Sequence, residues 1–241
     1  MILIAGGEGF IGTNLQSLLS SHDIPYEVAD LKSGIDICDV DGSKYDVIVL
    51  LAANLGHDMA MFQDNQRICK WAMRQTAHII YTSSAAVYGD SEKPHHEHEP
   101  TPAPTLYGKS KLLGEQLLAK ASKHYTILRL ANVFGKGDGN GAIDIFRRGG
   151  NKIYGDGSDI RDYVPVRVVC NAIKSIALDP DEYNGEVFNI SLNNPMTTKA
   201  AFFSYGDPEK RPEYVPARGF DVKCSILSNA KATVVGLIDE N

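Results

Sequence analysis

The sequence predicts an α/β protein built on a doubly wound parallel sheet, with a small carboxy-terminal region beside it. Three observations carry this. Short, wholly apolar runs alternate with segments whose apolar residues recur at helical spacing, the pattern of strands buried on both faces and of the helices that cover them. A cluster of glycines follows the first apolar run at once and opens the first helical segment. The alternation holds to about Asn132 and then fades. Residues 1–135 are therefore expected to form the sheet domain, and residues 136–241 a substrate-side cap interleaved with the last strands.

In chain order, residues 2–5 end at glycines and read as a buried strand. Residues 10–19 are helical through Phe10, Leu15, Leu18 and Leu19. Residues 26–29 form a second strand, closed by Asp30, and residues 46–51 a third, closed by Ala52 and Ala53. A helix is expected over 63–75, a strand over 78–81, a helix over 107–122 with Leu112, Leu113 and Leu117 on one side, and a strand over 125–130. Right-handed crossovers wind such units into one sheet covered on both faces. Beyond Asn132, residues 135–157 are rich in glycine, and from Asn193 the chain reads as loop with several prolines.

A chain of 241 residues fits one large domain or a domain with a small appendage. Its net charge of -6 argues against nucleic-acid and anionic-membrane partners. No run approaches the ~20 apolar residues that span a bilayer, and the apolar start is too short for a secretion signal. Cys38, Cys69, Cys170 and Cys224 are scattered, which fits reduced thiols in a cytoplasmic protein rather than a disulfide framework. The run His95-His-Glu-His98 lies between prolines and reads as a polar loop, and no metal is expected.

Gly6-Gly-Glu-Gly9-Phe10-Ile11-Gly12 satisfies both G-x-x-G-x-x-G, through Gly6, Gly9 and Gly12, and G-x-G-x-x-G, through Gly7, Gly9 and Gly12. One glycine permits the tight turn, another lets backbone approach a pyrophosphate, and the last allows close packing at the helix start. Free amides there face the anion. The context of strand before and helix after points to a dinucleotide. Asp30, at the end of the second strand, accepts from adenosine ribose hydroxyls and repels a 2′-phosphate, so NAD is favoured over NADP. Asp36 and Ile37 are placed to flank the adenine.

Tyr107-Gly-Lys-Ser-Lys111 sets a phenol and an ammonium on one side of a helix at i and i+4. A free tyrosine, with a pKa near ~10, is a poor base at neutral pH. Lys111 and a positive nicotinamide ring stabilise phenolate, so the expectation is a pKa lowered toward the working range. Tyr107 then exchanges a proton with an alcohol as hydride moves to or from its carbon. Ser84, near the end of a strand, can hydrogen-bond the reacting oxygen, with Ser83 and Thr82 competing for that place.

Taken together, these pieces resemble the extended short-chain dehydrogenase/reductase family, in particular its NAD-dependent nucleotide-sugar epimerases and dehydratases. The matching stretches are the glycine loop, Asp30, Leu51-Ala52-Ala53, Ser83-Ser-Ala-Ala-Val-Tyr-Gly89, Tyr107 with Lys111 and Arg129-Leu-Ala-Asn-Val-Phe-Gly135. They continue through Tyr154-Gly-Asp-Gly-Ser-Asp-Ile-Arg-Asp-Tyr-Val164, Val187-Phe-Asn-Ile-Ser191 and Arg218-Gly-Phe-Asp-Val222. The resemblance implies a Rossmann-type domain and a smaller substrate domain. It puts Ser84, Tyr107 and Lys111 in the catalytic places, and Phe10, Ile11, Leu51, Ala52, Ala53 and Lys111 beside NAD. It puts Asn132 against the substrate, and Arg161 and Arg218 on the diphosphate of a nucleotide sugar. It also implies a homodimer through the helices expected over 63–75 and 107–122.

The departures are informative. Ala85 and Ala86 stand where the family's 4,6-dehydratases carry an acid pair, and methyl groups neither donate nor accept a proton, which disfavours dehydration. Leu51 replaces a frequent histidine, and Arg167 stands where an acid is usual. The stretch 54–65 and the tail read as shortened, so the cap is expected to be small. The leading expectation is an epimerase that oxidises C4 transiently and returns the hydride. A 4-keto-sugar reductase or sugar dehydrogenase is the alternative, and a non-catalytic dinucleotide-binding regulator the third.

Overall fold

The computed structural model describes residues 1–121, 124–137, 139, 141–217 and 222–238. β1 (Ile2–Ala5) is buried end to end and leads through the glycine loop into α1 (Phe10–Ser20). β2 (Tyr26–Ala29) and β3 (Val47–Leu50) pair with β1 on its two sides, both in parallel. The alternation continues with α2 (Met59–Ala72), β4 (His78–Ser84), α3 (Leu106–Ala121) and β5 (Tyr125–Leu130). After β6 (Asn132–Phe134), α4 (Ala142–Arg147), β7 (Lys152–Tyr154), β8 (Ile160–Pro165) and α5 (Val166–Leu178), β9 (Glu186–Ile190) returns to the sheet beside β5. The result is a six-stranded, all-parallel sheet in the order β2-β1-β3-β4-β5-β9, the doubly wound fold that the alternating pattern predicts.

Strand alternation decides which helix covers which face. Ile2 and Ile4 of β1 pack into one core with Leu15 and Leu19 of α1 and Val169, Ile173 and Ile176 of α5. Leu3 and Ala5 point the other way, into a second core with Ile68 and Trp71 of α2 and Leu118 of α3. Each such valine, leucine or isoleucine contributes roughly 1.5–3 kcal/mol when taken fully out of water. The chain leaves β1 for β2 on one side and β3 on the other. That reversal opens a crevice at the carboxyl ends of the strands, where ligands bind in sheets of this kind.

Several elements begin or end away from their expected positions. α2 starts at Met59 because Asp58 caps it, its Oδ1 accepting from the Met61 amide at 2.9 Å. β4 runs past Tyr81 to Ser84 because its polar residues find partners: the Thr82 hydroxyl donates to the Leu50 carbonyl at 2.9 Å, and Ser83 to Glu115 at 2.5 Å.

The part expected to be loop is built from short elements. β8 pairs in parallel with β6 and antiparallel with β10 (Pro195–Thr197). α6 (Thr198–Tyr205) packs Phe202 edge-on against Phe146 of α4, 5.2 Å between centroids. β11 (Glu213–Val215) pairs with β7, and β12 (Cys224–Ser225) with β8, before α7 (Ala230–Val234). This small lobe has its own core of Ile143, Phe146, Ile153, Tyr163, Ala201 and Phe202.

The histidine run is a structural corner. His95 stacks on Tyr88 at 4.6 Å, with Nδ1 at 2.8 Å from Glu99 and Nε2 at 3.1 Å from the Gly89 carbonyl. Among the described residues, no group of three His, Cys, Asp or Glu is arranged to hold a metal ion, and no helix is long and apolar enough to cross a membrane.

Candidate functional site

One cavity of about 1310 Å³ runs along the carboxyl ends of the strands, from the glycine loop to β6 and β8. At one end the backbone makes a cradle. Gly6 takes the left-handed φ of 82° that the turn needs, and a Cβ on Gly12 would collide with the backbone of Gly7. At Gly9 an added Cβ would meet only the Gly6 carbonyl, at 3.3 Å, so hydrogen in place of a methyl keeps the cradle open. Gly9 is also the N-cap of α1, with no side-chain cap bond, so the first-turn amides face the cavity with the positive end of the helix dipole. This donor set fits a dinucleotide pyrophosphate.

Asp30 follows β2 on the same wall. Its Oδ2 accepts from the Glu8 amide and its Oδ1 from the Lys32 amide, each at 2.9 Å, which fixes the carboxylate at the cavity rim. Asp36 and Ile37 come next. The Arg67 guanidinium donates to Asp36 Oδ2 at 2.8 Å and holds that carboxyl below its ordinary range. Leu51, Ala52 and Ala53 close the floor between the two ends. Behind them, the short loop after β3 is clamped to α2, the Asn54 amide donating to Asn65 Oδ1 at 2.8 Å and Asn65 Nδ2 returning to the Asn54 carbonyl at 3.0 Å.

The other end gathers Ser84, Tyr107 and Lys111. Tyr107 stands in the first turn of α3, with Lys111 one turn on. α3 approaches the end of β4 so closely that a Cβ on Gly108 would collide with the Ala86 carbonyl oxygen. Ser84 closes β4, its Oγ accepting from the Ala86 amide at 3.2 Å. Lys111 Nζ donates to the Thr82 carbonyl at 2.9 Å and lies 5.8 Å from the Tyr107 ring centroid. Thr82 and Ser83, the competitors of Ser84, spend their hydroxyls on the Leu50 carbonyl and on Glu115.

Burial pushes the Tyr107 phenol up to about 12. Burial also pushes the Lys111 ammonium down to about 8, against the pull of Cys69 and Glu115.

Beneath these residues lies a polar network that nothing in the local sequence pattern announces. The buried Glu115 carboxylate accepts from Ser83 and from Arg129 Nε and Nη2, the last at 2.7 Å. Arg129 Nη1 donates onward to the Tyr88 hydroxyl at 2.7 Å, and Tyr88 to Asn189 at 3.0 Å.

Toward the small lobe, Asn132 opens β6, with Nδ2 donating to the Asp162 carbonyl at 3.2 Å. Arg161 on β8 donates from Nη1 to the Ile160 carbonyl at 2.9 Å and the Lys223 carbonyl at 3.3 Å, and it lines the cavity. Arg218 lies outside the described residues. The other residues expected at the site all line this one cavity. Glu8, Lys32 and Arg67 line it too and were not foreseen. Arg67 meets Asp36 from 31 positions away, which no local pattern reveals.

The model of the NAD dependent epimerase/dehydratase family matches residues 2–191. The chain belongs to this family. It is 28% identical to the ADP-L-glycero-D-manno-heptose-6-epimerase of Alkalilimnicola ehrlichii, over 96% of this chain and 91% of that protein. Among solved structures, the fold resembles the UDP-glucose 4-epimerase of Thermotoga maritima solved with UDP-glucose. The TM-score there is 0.77 at 25% identity, over 97% of this chain and 91% of that one. It also resembles the Thermus thermophilus UDP-glucose 4-epimerase solved with NAD, with a TM-score of 0.82 at 20% identity over 98% and 93% of the two chains.

Proposed function

We propose that this family member is an NAD-dependent epimerase of a nucleotide sugar, acting at C4. The observation that carries the reading is that Ser84, Tyr107 and Lys111 line the same cavity as the glycine cradle and Asp30, while Ala85 and Ala86 follow Ser84. This shared cavity supports a reading in which a proton relay acts beside a dinucleotide, without the acids that elimination of water requires.

Bound NAD supplies the two-electron acceptor and donor for the sugar carbon. The chain supplies the rest. Gly6, Gly9, Phe10, Ile11 and Gly12 hold the pyrophosphate, Asp30 the adenosine ribose, Asp36 and Ile37 the adenine, and Leu51, Ala52 and Ala53 the cavity floor. Tyr107 takes the sugar hydroxyl proton and later returns it, while Ser84 hydrogen-bonds the same oxygen and keeps it in line. Lys111 Nζ lies 5.8 Å from the Tyr107 ring centroid, and the phenol would be brought down from its buried value by that charge together with a bound, positively charged nicotinamide. Asn132 contacts the sugar. Arg161 and Arg218 grip the diphosphate, where guanidinium forks match phosphate oxygens.

Residues 1–135 then serve as the cofactor domain and 136–241 as the substrate cap with the sheet's last strand. The α2 and α3 pair is our candidate for a homodimer surface, and Phe62 and Leu113 on it are only partly buried.

Proton NMR of the protein with UDP-, GDP- and dTDP-hexoses, with and without NAD(H), tests the reading. Conversion to the C4 epimer without net redox change supports it. Stoichiometric change in NADH would instead indicate a 4-keto-sugar reductase or sugar dehydrogenase. Silence across the panel would point to a dinucleotide-binding regulator.

A further inference from the structure

Lys111 is a buried cation with little around it to hold the charge. It exposes 4% of its surface, and among the described residues its ammonium makes one hydrogen bond, to the Thr82 carbonyl at 2.9 Å. Burial pushes it down to about 8, so the charged form is only modestly favoured at neutral pH. Two groups pull the other way, Cys69 from α2 and Glu115 from α3 itself. Neither is a free anion. Glu115 already accepts from Ser83 and from Arg129 of β5. Burial pushes the Cys69 thiol up, so it stays neutral at that pH.

An aromatic ring does face the ammonium. Lys111 Nζ stands over Tyr81 of β4, 5.2 Å from the ring centroid and closer than it comes to the ring of Tyr107. The negative face of a ring within ~6 Å attracts a cation, most strongly where water is excluded. Tyr81 is buried, and the fold makes room for it. Alternation along β4 turns Ile79 and Tyr81 into the core shared with α2 and α3. Gly114, three residues past Lys111, lets the ring in, since a Cβ there would collide with the Tyr81 hydroxyl oxygen. Thr82 and Lys111 line the cavity and Tyr81 lies behind them, so it acts through Lys111.

We propose that Tyr81 is a positioning residue of the reaction, its ring face keeping Lys111 protonated and seated beside Tyr107. The consequence for turnover rests on the proton-relay reading of the site. The effect on Lys111 is measured without it.

Protein carrying carbon-13-labelled lysine is titrated by NMR, the Lys111 signal being identified by its loss in Lys111→Met. Tyr81→Phe keeps the ring and is expected to hold the midpoint within about 0.3 pH unit of the wild type. Tyr81→Leu removes the ring and is expected to lower the midpoint by about one unit, a tenfold loss of proton affinity. A trifluorinated phenylalanine at position 81 keeps the shape while weakening the ring's negative face. It is expected to fall between the two, and it supplies the answer if Tyr81→Leu does not fold. The alkaline limb of the pH profile for epimer formation is expected to move to lower pH with the midpoint. If either ring-weakening change leaves the midpoint within about 0.3 unit of Tyr81→Phe, the role of the ring is overturned. A Tyr81→Phe midpoint as low as that of Tyr81→Leu also overturns it, because the effect would then belong to the hydroxyl. An alkaline limb that stays in place while the midpoint moves overturns the link to the reaction. If the wild type turns over no nucleotide hexose, the epimerase reading fails, and the NMR midpoints still decide whether the ring holds the charge.

Discussion

Glu115→Ala is the substitution that most directly tests how the site is held. Glu115 and Arg129 expose only 5% and 6% of their surfaces, and three donors converge on the carboxylate: Ser83, Arg129 Nε and Arg129 Nη2, the closest arginine contact at 2.7 Å. Removing the acid leaves a guanidinium buried against apolar packing, with only the Tyr88 hydroxyl and the Glu97 carbonyl as acceptors. Breaking a buried pair from one side costs roughly 3–5 kcal/mol, most of it the uncompensated charge. With a urea slope of about 3 kcal/mol/M, the unfolding midpoint is expected to fall by about 1–1.7 M. Replacing both partners, as in Glu115→Leu with Arg129→Met, removes the stranded charge and is expected to recover at least half of the loss. Circular dichroism during urea titration reads all three proteins. A loss under about 1 kcal/mol for Glu115→Ala, or a double variant no better than the single one, would refute the argument that the pair's charge balance, rather than bulk packing, secures the end of β4.

Tyr107→Phe is expected to abolish epimer formation while sparing bound NAD, measured by NMR and by chromatography of the nucleotide released on denaturation; full activity in the variant would remove Tyr107 from the proton relay. Gly108→Ala should lower kcat at least tenfold with helix content kept, because its methyl has to displace the Ala86 carbonyl beside Ser84. Wild-type kcat in that variant would show the close approach to be dispensable. His78, buried at the start of β4 and hydrogen-bonded to Thr126 at 2.8 Å, is pushed down to about 4 by burial and then by His124. The unfolded chain takes up that proton near pH 6.5 and the folded chain does not, so stability present above pH 6.5 is lost as pH falls toward 4, by about 3 kcal/mol in all. His78→Gln is expected to flatten the dependence of the urea midpoint on pH across that window, and an unchanged dependence would contradict this assignment.

The central sheet was legible because its first and third strands are short apolar runs followed by glycine or alanine, as in residues 2–5 and 47–51. The small lobe was not, because β10, β11 and β12 span three residues or fewer and carry no measurable period. α5 could have been read. Val166, Val169, Cys170, Ile173 and Ile176 recur at helical spacing and are all buried, but their β-branched run imitates a strand. At the site, the glycine loop and the Tyr107–Lys111 spacing are local patterns and so visible. Arg67 with Asp36, and Glu115 with Arg129, are pairs made by the fold. The burial that raises the Tyr107 phenol is likewise made by the fold, and spacing reveals only that a lysine is near.

The central claim is that the electrons removed from the sugar return to it within one binding event. A nucleotide hexose deuterated at C4, incubated with the purified protein and no added cofactor, tests this by NMR and mass spectrometry of the product. The expected product is a C4 epimer that retains the deuterium at C4, with no accumulation of NADH. Loss of the label to solvent, or product that appears only in proportion to added NAD or NADH, would contradict it.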